Sequence, residues 1–372
     1  MNTETLYSQT VRHYLAPVCA FLDDPGVSEV MINGSTDIYV ERDGRVERVA
    51  ARFEDDEVYE AAVNHVLQYT GRSLRDGAAL MDARLPDGSR VHVARPPASR
   101  LGLVMTIRKF GKAMLDMDWL VHLYTLSEAA RQYLHAVVRN EANVLVAGGT
   151  SSGKTSLLNA LSRSIPDGAR IVVIEDSAEL QLQQDHVVSL EAQSADADGL
   201  GAVGIAELFR ASLRLRPDRI IIGEVRGGEA LEMIQAMTSG HGGSMGTLHA
   251  NHVRDALSRL ETMALMSKIE LPLGAVRSQV ASAIDVVVQM MRTEGGRRKV
   301  TQIGEVEGIG ADGHYLVREM FTLQGGEHDA DAAQLQWTQQ PSTLADQIDA
   351  EALAAVGSEA RAIFTPTSKG EA

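Results

Sequence analysis

Between Val144 and Thr155 the chain reads Val144-Leu145-Val146-Ala147 and then Gly148-Gly149-Thr150-Ser151-Ser152-Gly153-Lys154-Thr155, a short apolar run entering a G-x-x-x-x-G-K-[ST] loop. Successive backbone N–H groups of such a loop converge on anionic oxygens, which makes it a phosphate cradle. Gly148 and Gly153 admit turn conformations closed to other residues. Lys154 brings a positive charge to the β- and γ-phosphates of a nucleotide, and Thr155 offers a hydroxyl to Mg²⁺. A helix expected from Thr155 to about Arg163 would aim its positive N-terminal end at the same phosphates.

Acidic residues end the two apolar runs that follow. Ile174 precedes Glu175-Asp176, and Ile222-Gly223 precedes Glu224. In an open parallel sheet ligands sit at the carboxyl ends of strands, so each carboxylate would face the γ-phosphate from the side opposite Lys154. One would hold Mg²⁺ and the other would orient the attacking water. A third strand end supplies Gly240-His241-Gly242-Gly243-Ser244-Met245-Gly246-Thr247-Leu248-His249. His249, at the carboxyl end, is placed to touch the γ-phosphate; His241 is expected to make a structural hydrogen bond. The pair lacks the third ligand that zinc requires.

Charge developing on a transferred phosphate needs cations besides Lys154 and Mg²⁺, and one arginine from another domain or subunit contributes roughly 10³–10⁵ in rate. Arg84, Arg90 and Arg108 lie on or beside strands of the first hundred residues, and Arg210, Arg214, Arg216 and Arg226 near the Glu224 strand. Arg108 ends a strand just before the segment expected to join two domains.

Positioning these residues requires two folding units, as 372 residues exceed one ordinary core. Residues 1–110 read as a small α+β domain. Ser28 to Gly34 and Asp37 to Glu41 are strands, Arg42-Asp43-Gly44 a tight turn, Asp55 to Tyr69 a helix, and Met81 to Val93 a hairpin turning at Pro86-Asp87-Gly88, with Val104 to Arg108 closing the sheet. Residues 111–126 are expected to bridge, and Ser127 to cap a helix running to Arg139. Over 127–325, Val144–Ala147, Ile171–Ile174, Arg219–Ile222 and Ser244–Leu248 alternate with helical segments, the pattern of a parallel sheet buried on both faces. Met233, Met237, Met263 and Met266 are expected in its core. Residues 326–372 are expected to be a partly disordered extension, with a strand and helix between Gln334 and Ala355 and a tail over the last dozen.

Fifty acidic against 35 basic residues give a net charge of −15, which disfavours broad nucleic-acid binding. A single cysteine excludes a disulfide framework or a four-cysteine zinc site. No apolar run approaches the length of a membrane span, so the chain is expected to be cytoplasmic.

The blocks AGGTSSGKTS, IVVIEDSAEL, LRPDRIIIGEVRG and GHGGSMGTLHAN occur in one order, and in this the chain resembles the secretion ATPase superfamily of type II and type IV secretion and pilus assembly over residues 25 to 325. The resemblance implies an α/β architecture, a RecA-like P-loop ATPase domain behind a smaller α+β (PAS-like) N-terminal domain. It also implies a homo-hexameric ring using ATP and Mg²⁺, with nucleotide between the domains. Its partners would be inner-membrane platform proteins, with the ATPase peripheral to that membrane.

On the resemblance, Gly148, Gly149, Thr150, Ser151, Ser152, Gly153, Lys154, Thr155 and Ser156 bind the phosphates. Thr155 and Glu224 serve the metal, Glu175 is the catalytic carboxylate and His249 the γ-phosphate sensor. Arg108, in TIRKF, matches an arginine reaching the nucleotide from the N-terminal domain. The run HANHVRDALSRLETMALM with SQVASAIDVVVQM is most similar to tight-adherence (Flp) pilus ATPases, and the conjugative-transfer ATPases are the alternative.

Overall fold

The computed structural model describes residues 3–42, 44–74, 77–109, 116–193, 201–325 and 330–365. The chain divides into two compact units, 1–113 and 114–372.

Unit 1 is a six-stranded antiparallel sheet, order β3-β2-β1-β6-β5-β4. Its strands are β1 (Val27–Ile32), β2 (Ile38–Arg42), β3 (Arg45–Val49), β4 (Leu80–Arg84), β5 (Arg90–Ala94) and β6 (Val104–Arg108). Alternation sets one face apolar: Val30, Ile32, Val40, Val91, Val93, Met105 and Ile107 are buried with Tyr59, Ala62, Val63, Val66 and Leu67 of the helix Asp56–Gln68. Asp55 caps that helix, its carboxylate accepting the Val58 N–H at 2.8 Å. The expected turn at Arg42-Asp43-Gly44 includes Asp43, which lies outside the described residues. Helices Thr3–Tyr14 and Ala16–Asp23 add Val11 and Val18 to this core, with Leu15 at their junction, a contribution the sequence pattern did not suggest.

Unit 2 carries a nine-stranded sheet, order β15-β14-β13-β12-β7-β11-β10-β8-β9. The strands are β7 (Val144–Gly148), β8 (Ile171–Glu175), β9 (Val187–Glu191), β10 (Arg219–Ile222), β11 (Met245–Leu248), β12 (Val286–Arg292), β13 (Arg298–Ile309), β14 (Tyr315–Gln324) and β15 (Gln334–Trp337). From β12 through β9 neighbouring strands are parallel, and β13 to β15 extend the sheet antiparallel. β7, β8, β10 and β11 are buried along their whole length, as continuous apolar runs covered by helices on both faces must be. The α/β architecture expected from the strand and helix alternation is the one found.

Of the segment expected to bridge, residues 110–115 lie outside the described residues. The remainder forms the helix Met117–His122 and buries Met117, Leu120 and Leu126 in unit 2. The expected helix after Ser127 runs Glu128–Arg139, with Ser127 Oγ accepting the Ala130 N–H at 3.4 Å.

The C-terminal residues within 330–365 are structured. β15 pairs with β14, and helices Ala350–Ala355 and Ser358–Ile363 bury Ala352, Ala360 and Ile363 in the same core. The fully buried Glu305 carboxylate anchors this segment: it accepts the Tyr133 hydroxyl at 2.7 Å, the Thr343 N–H at 2.7 Å and the Thr343 hydroxyl at 2.6 Å. The first residues of the expected tail are thus part of the helix Ser358–Ile363, and residues 366–372 of it lie outside the described residues. Met233, Met237 and Met263 are core residues as expected, whereas Met266, just past the helix Val253–Leu265, is 63% exposed.

Candidate functional site

β7 leads directly into the glycine-rich loop, and the helix Lys154–Ser162 leaves it. A Cβ on Gly148 would come within 2.5 Å of Ser152 Oγ and 2.7 Å of the Met290 carbonyl oxygen, so only glycine fits where the loop turns against β12. Gly153 has φ +95° and Ser151, at the apex, φ +57°. Both are left-handed conformations of the kind that tight phosphate-binding turns use. Lys154 is buried, its ammonium donating to Gly148 O at 3.2 Å and Gly149 O at 2.9 Å.

Parallel registration carries the ends of β11 and β10 to the same edge of the sheet, with Leu248 opposite Ala147 and Ile222 opposite Gly246. Beyond them, His249 Nε2 lies 2.8 Å from Glu224 Oε1, and Arg226 Nη2 donates to Glu224 Oε2 at 2.8 Å. The other arm of Arg226 donates to Asp176 Oδ2 at 2.9 Å. Burial works to raise the Glu224 carboxyl, but the Arg226 hydrogen bond and the charges of Arg226, His249 and Lys154 outweigh it and hold the group below its ordinary value. Burial also lowers the His249 imidazole, with Lys154, Arg259 and Arg226 adding to the effect and Glu224 opposing it. The contact is thus a hydrogen bond from a neutral ring, in which Nε2 carries the proton. Lys154, Glu224 and His249 form one electrostatic group.

Glu175 ends β8 buried, its Oε1 accepting the N–H groups of Glu179 at 2.8 Å and Leu180 at 3.0 Å. A Cβ on Gly223 would stand 2.9 Å from its Cγ, so this glycine lets the β8 carboxylate pack beside the Glu224 strand end. Backbone donors fix its orientation. Thr247 ties the next strand in, donating from Oγ1 to Gly223 O at 2.6 Å.

Two contributors were not anticipated. Arg298, opening β13, donates from Nε to Ser151 O at 3.3 Å, and its Cδ lies 3.1 Å from where a Gly153 Cβ would be. Gln289 of β12 donates from Nε2 to Ala250 O at 3.0 Å. An arginine after a Gly-Gly turn looks like any solubilising residue, but a glutamine inside Val286-Val287-Val288-Gln289-Met290-Met291 was a usable signal. Other expectations resolve differently. Arg210 pairs with Glu232 at 3.0 Å. His241 precedes β11, and its ring Nδ1 is buried without a hydrogen-bond partner, so the expected structural bond from that nitrogen is not made.

In unit 1, Arg84, Arg90 and Arg108 fall directly opposite one another on β4, β5 and β6, with Glu29 of β1 next in the row. Like charges facing across strands oppose sheet formation, and Glu29 beside Arg108 offsets part of that repulsion.

A metal would find hard oxygen donors, the Thr155 hydroxyl at the start of the helix Lys154–Ser162 and the Glu224 carboxylate. That donor set fits Mg²⁺, which takes one or two protein oxygens and completes its shell with water and phosphate. Among the described residues no group of three His, Cys, Asp or Glu is placed to hold a metal on its own.

The chain is similar to a putative conjugal transfer protein of Mycobacterium tuberculosis, 31% identical over 288 residues, covering 76% of this chain and 81% of that relative. It is similar to the type IV secretion system protein VirB11 of Bartonella quintana, 32% identical over 345 residues, covering 81% of this chain and 95% of the relative. The fold matches that of the Legionella pneumophila ATPase DotB with a TM-score of 0.55 at 19% identity, covering 77% of this chain and 79% of DotB. Residues 12–335 match the type II/IV secretion system protein family, and with the conjugal transfer and VirB11 relatives this match establishes that the chain belongs to that family.

Proposed function

We propose that the protein hydrolyses ATP with Mg²⁺ and spends the energy on a secretion machine. The observation that carries this reading is the convergence of Glu224 and His249, just past the ends of two adjacent parallel strands, on Lys154, which opens the helix after the glycine-rich loop of a third. Gly148 to Ser156 hold the phosphates and Lys154 neutralises them. Mg²⁺, when bound, would supply Lewis-acid stabilisation of the charge on the transferring group. Thr155 and Glu224 would hold the metal, Glu175 polarises the attacking water, and His249 reads the γ-phosphate while remaining neutral. The row of Arg84, Arg90 and Arg108 in unit 1 offers the cation for transition-state charge, with Arg108 as its catalytic member.

The test is phosphate release by the purified chain. Lys154→Ala is expected to abolish turnover, and Arg108→Ala to lower kcat far more than ATP affinity. Retained turnover in Lys154→Ala would remove the site assignment.

For the machine itself, the relatives reported above are named for conjugal transfer and type IV secretion. That favours a type IV secretion or conjugation role over the tight-adherence pilus that the sequence blocks suggested. The ATPase would work as a homo-hexamer against inner-membrane platform proteins from the cytoplasmic side, without binding nucleic acid itself. Among the described residues no helix is long and apolar enough to cross a membrane. Deleting the gene should abolish transfer of a mobilisable plasmid or secreted substrate and leave pilus-dependent adherence intact; the reverse pattern would restore the pilus assignment.

A further inference from the structure

Gln289 is 4% exposed within the apolar strand β12. Placing a primary amide there strips it of water, so its polar atoms must find partners in the interior. Nε2 finds two, donating to Ala250 O at 3.0 Å and Met290 O at 3.3 Å. Oε1 is buried with no hydrogen-bond partner. A leucine or methionine would fill the same space and leave no orphaned acceptor, so packing does not account for the residue.

Both partners of the amide belong to the site. Ala250 directly follows His249, and the Met290 carbonyl oxygen is the atom that would meet a Cβ on Gly148 at 2.7 Å. β12 runs beside β7 with Gln289 opposite Ala147 and Met290 opposite Gly148. On its other side, the ladder with β13 slips register between these same two residues. The extra residue at that slip, Thr301, lies on β13, so β12 keeps Gln289 and Met290 in unbroken register with β7 beside the loop.

We propose that Gln289 is a positioning residue that fastens the His249–Ala250 turn to the floor of the phosphate loop, so that the imidazole and the loop take up their geometry together. The inference rests on His249 acting in ATP turnover as argued above. Gln289 touches no reacting atom and works through His249.

The test is a double-mutant cycle in the full chain, with Gln289→Leu, His249→Ala and the double variant compared by steady-state phosphate release from Mg²⁺-ATP. Gln289→Leu is expected to lower kcat about tenfold with KM for ATP little changed, and the double variant to be no slower than His249→Ala alone. Gln289→Asn keeps an amide one methylene too short to span the gap; it should reproduce the non-additive loss with a wild-type melting temperature. Losses that multiply in the double variant would overturn the inference while leaving the assignment of His249 in place. Full turnover in His249→Ala would overturn that assignment and this inference with it.

Discussion

Glu224 is shared between two donors, with His249 Nε2 at 2.8 Å from one carboxylate oxygen and Arg226 Nη2 at 2.8 Å from the other. The carboxylate is held ionised and oriented, and the ring beside it is held neutral. A small change in the position of the β11 end is therefore felt at Glu224 without any proton moving.

The pH dependence follows from these directions. His249 titrates lower in the folded chain than its ordinary value near 6.5, so the unfolded chain takes up the proton first and stability falls as pH drops below about 6.5. Glu224, also lowered, contributes stability that is present above about 4.3 and lost as pH falls through its folded value. His249→Asn should flatten the melting temperature over the upper of these windows. An unchanged slope in thermal melts at stepped pH would contradict the lowered imidazole.

Glu175→Gln retains an oxygen for the Glu179 and Leu180 N–H groups and removes the charge. Turnover should fall about 10²–10⁴-fold, the usual weight of a general base, at an unchanged melting temperature. Loss of melting temperature with turnover preserved would make Glu175 a loop anchor only.

Gly148→Ala forces a methyl against Ser152 Oγ and the Met290 backbone, whereas a Cβ on Gly149 meets nothing within 4 Å. The first should cost about 1–3 kcal/mol by overpacking and weaken nucleotide binding. Gly149→Ala should leave stability close to wild type, and chemical denaturation compares the two.

Tyr133→Phe removes one donor from the buried Glu305 carboxylate that holds Thr343. The expected cost is about 1–3 kcal/mol, the weight of a buried acceptor left short. Limited proteolysis should then cut first within 341–365.

The strands β7, β8 and β10 were legible because each is a largely apolar run closed by a glycine or an acid, and β11 because its short run ends at His249 after a glycine-rich approach. So were Glu224 and His249, just past the ends of two of these strands, and Lys154, by its place in the glycine-rich loop pattern after a third. The polar Gln289 stood out in its apolar run, but its link to the loop did not, because it comes through the pairing of β12 with β7; Arg298 gave no signal, being brought to the loop by the pairing of β13 with β12. Arg84, Arg90 and Arg108 were noticed one at a time; only the register of β4, β5 and β6 reveals them as a row. The helices over 3–23 escaped because the first has few apolar residues and the second is too short to show a periodicity, and both serve a sheet formed by later residues.

β15 covers the end of β14 from Phe321 to Gln324, opposite Trp337 to Gln334. A chain cut after residue 325 would expose those main-chain donors and acceptors on an edge strand whose Met320 and Phe321 are wholly buried in the intact protein. Such an edge templates strand addition by another molecule. The uncharged strand β15 is thus what covers this edge of β14, and trimming the C-terminal residues to improve solubility is expected to have the opposite effect.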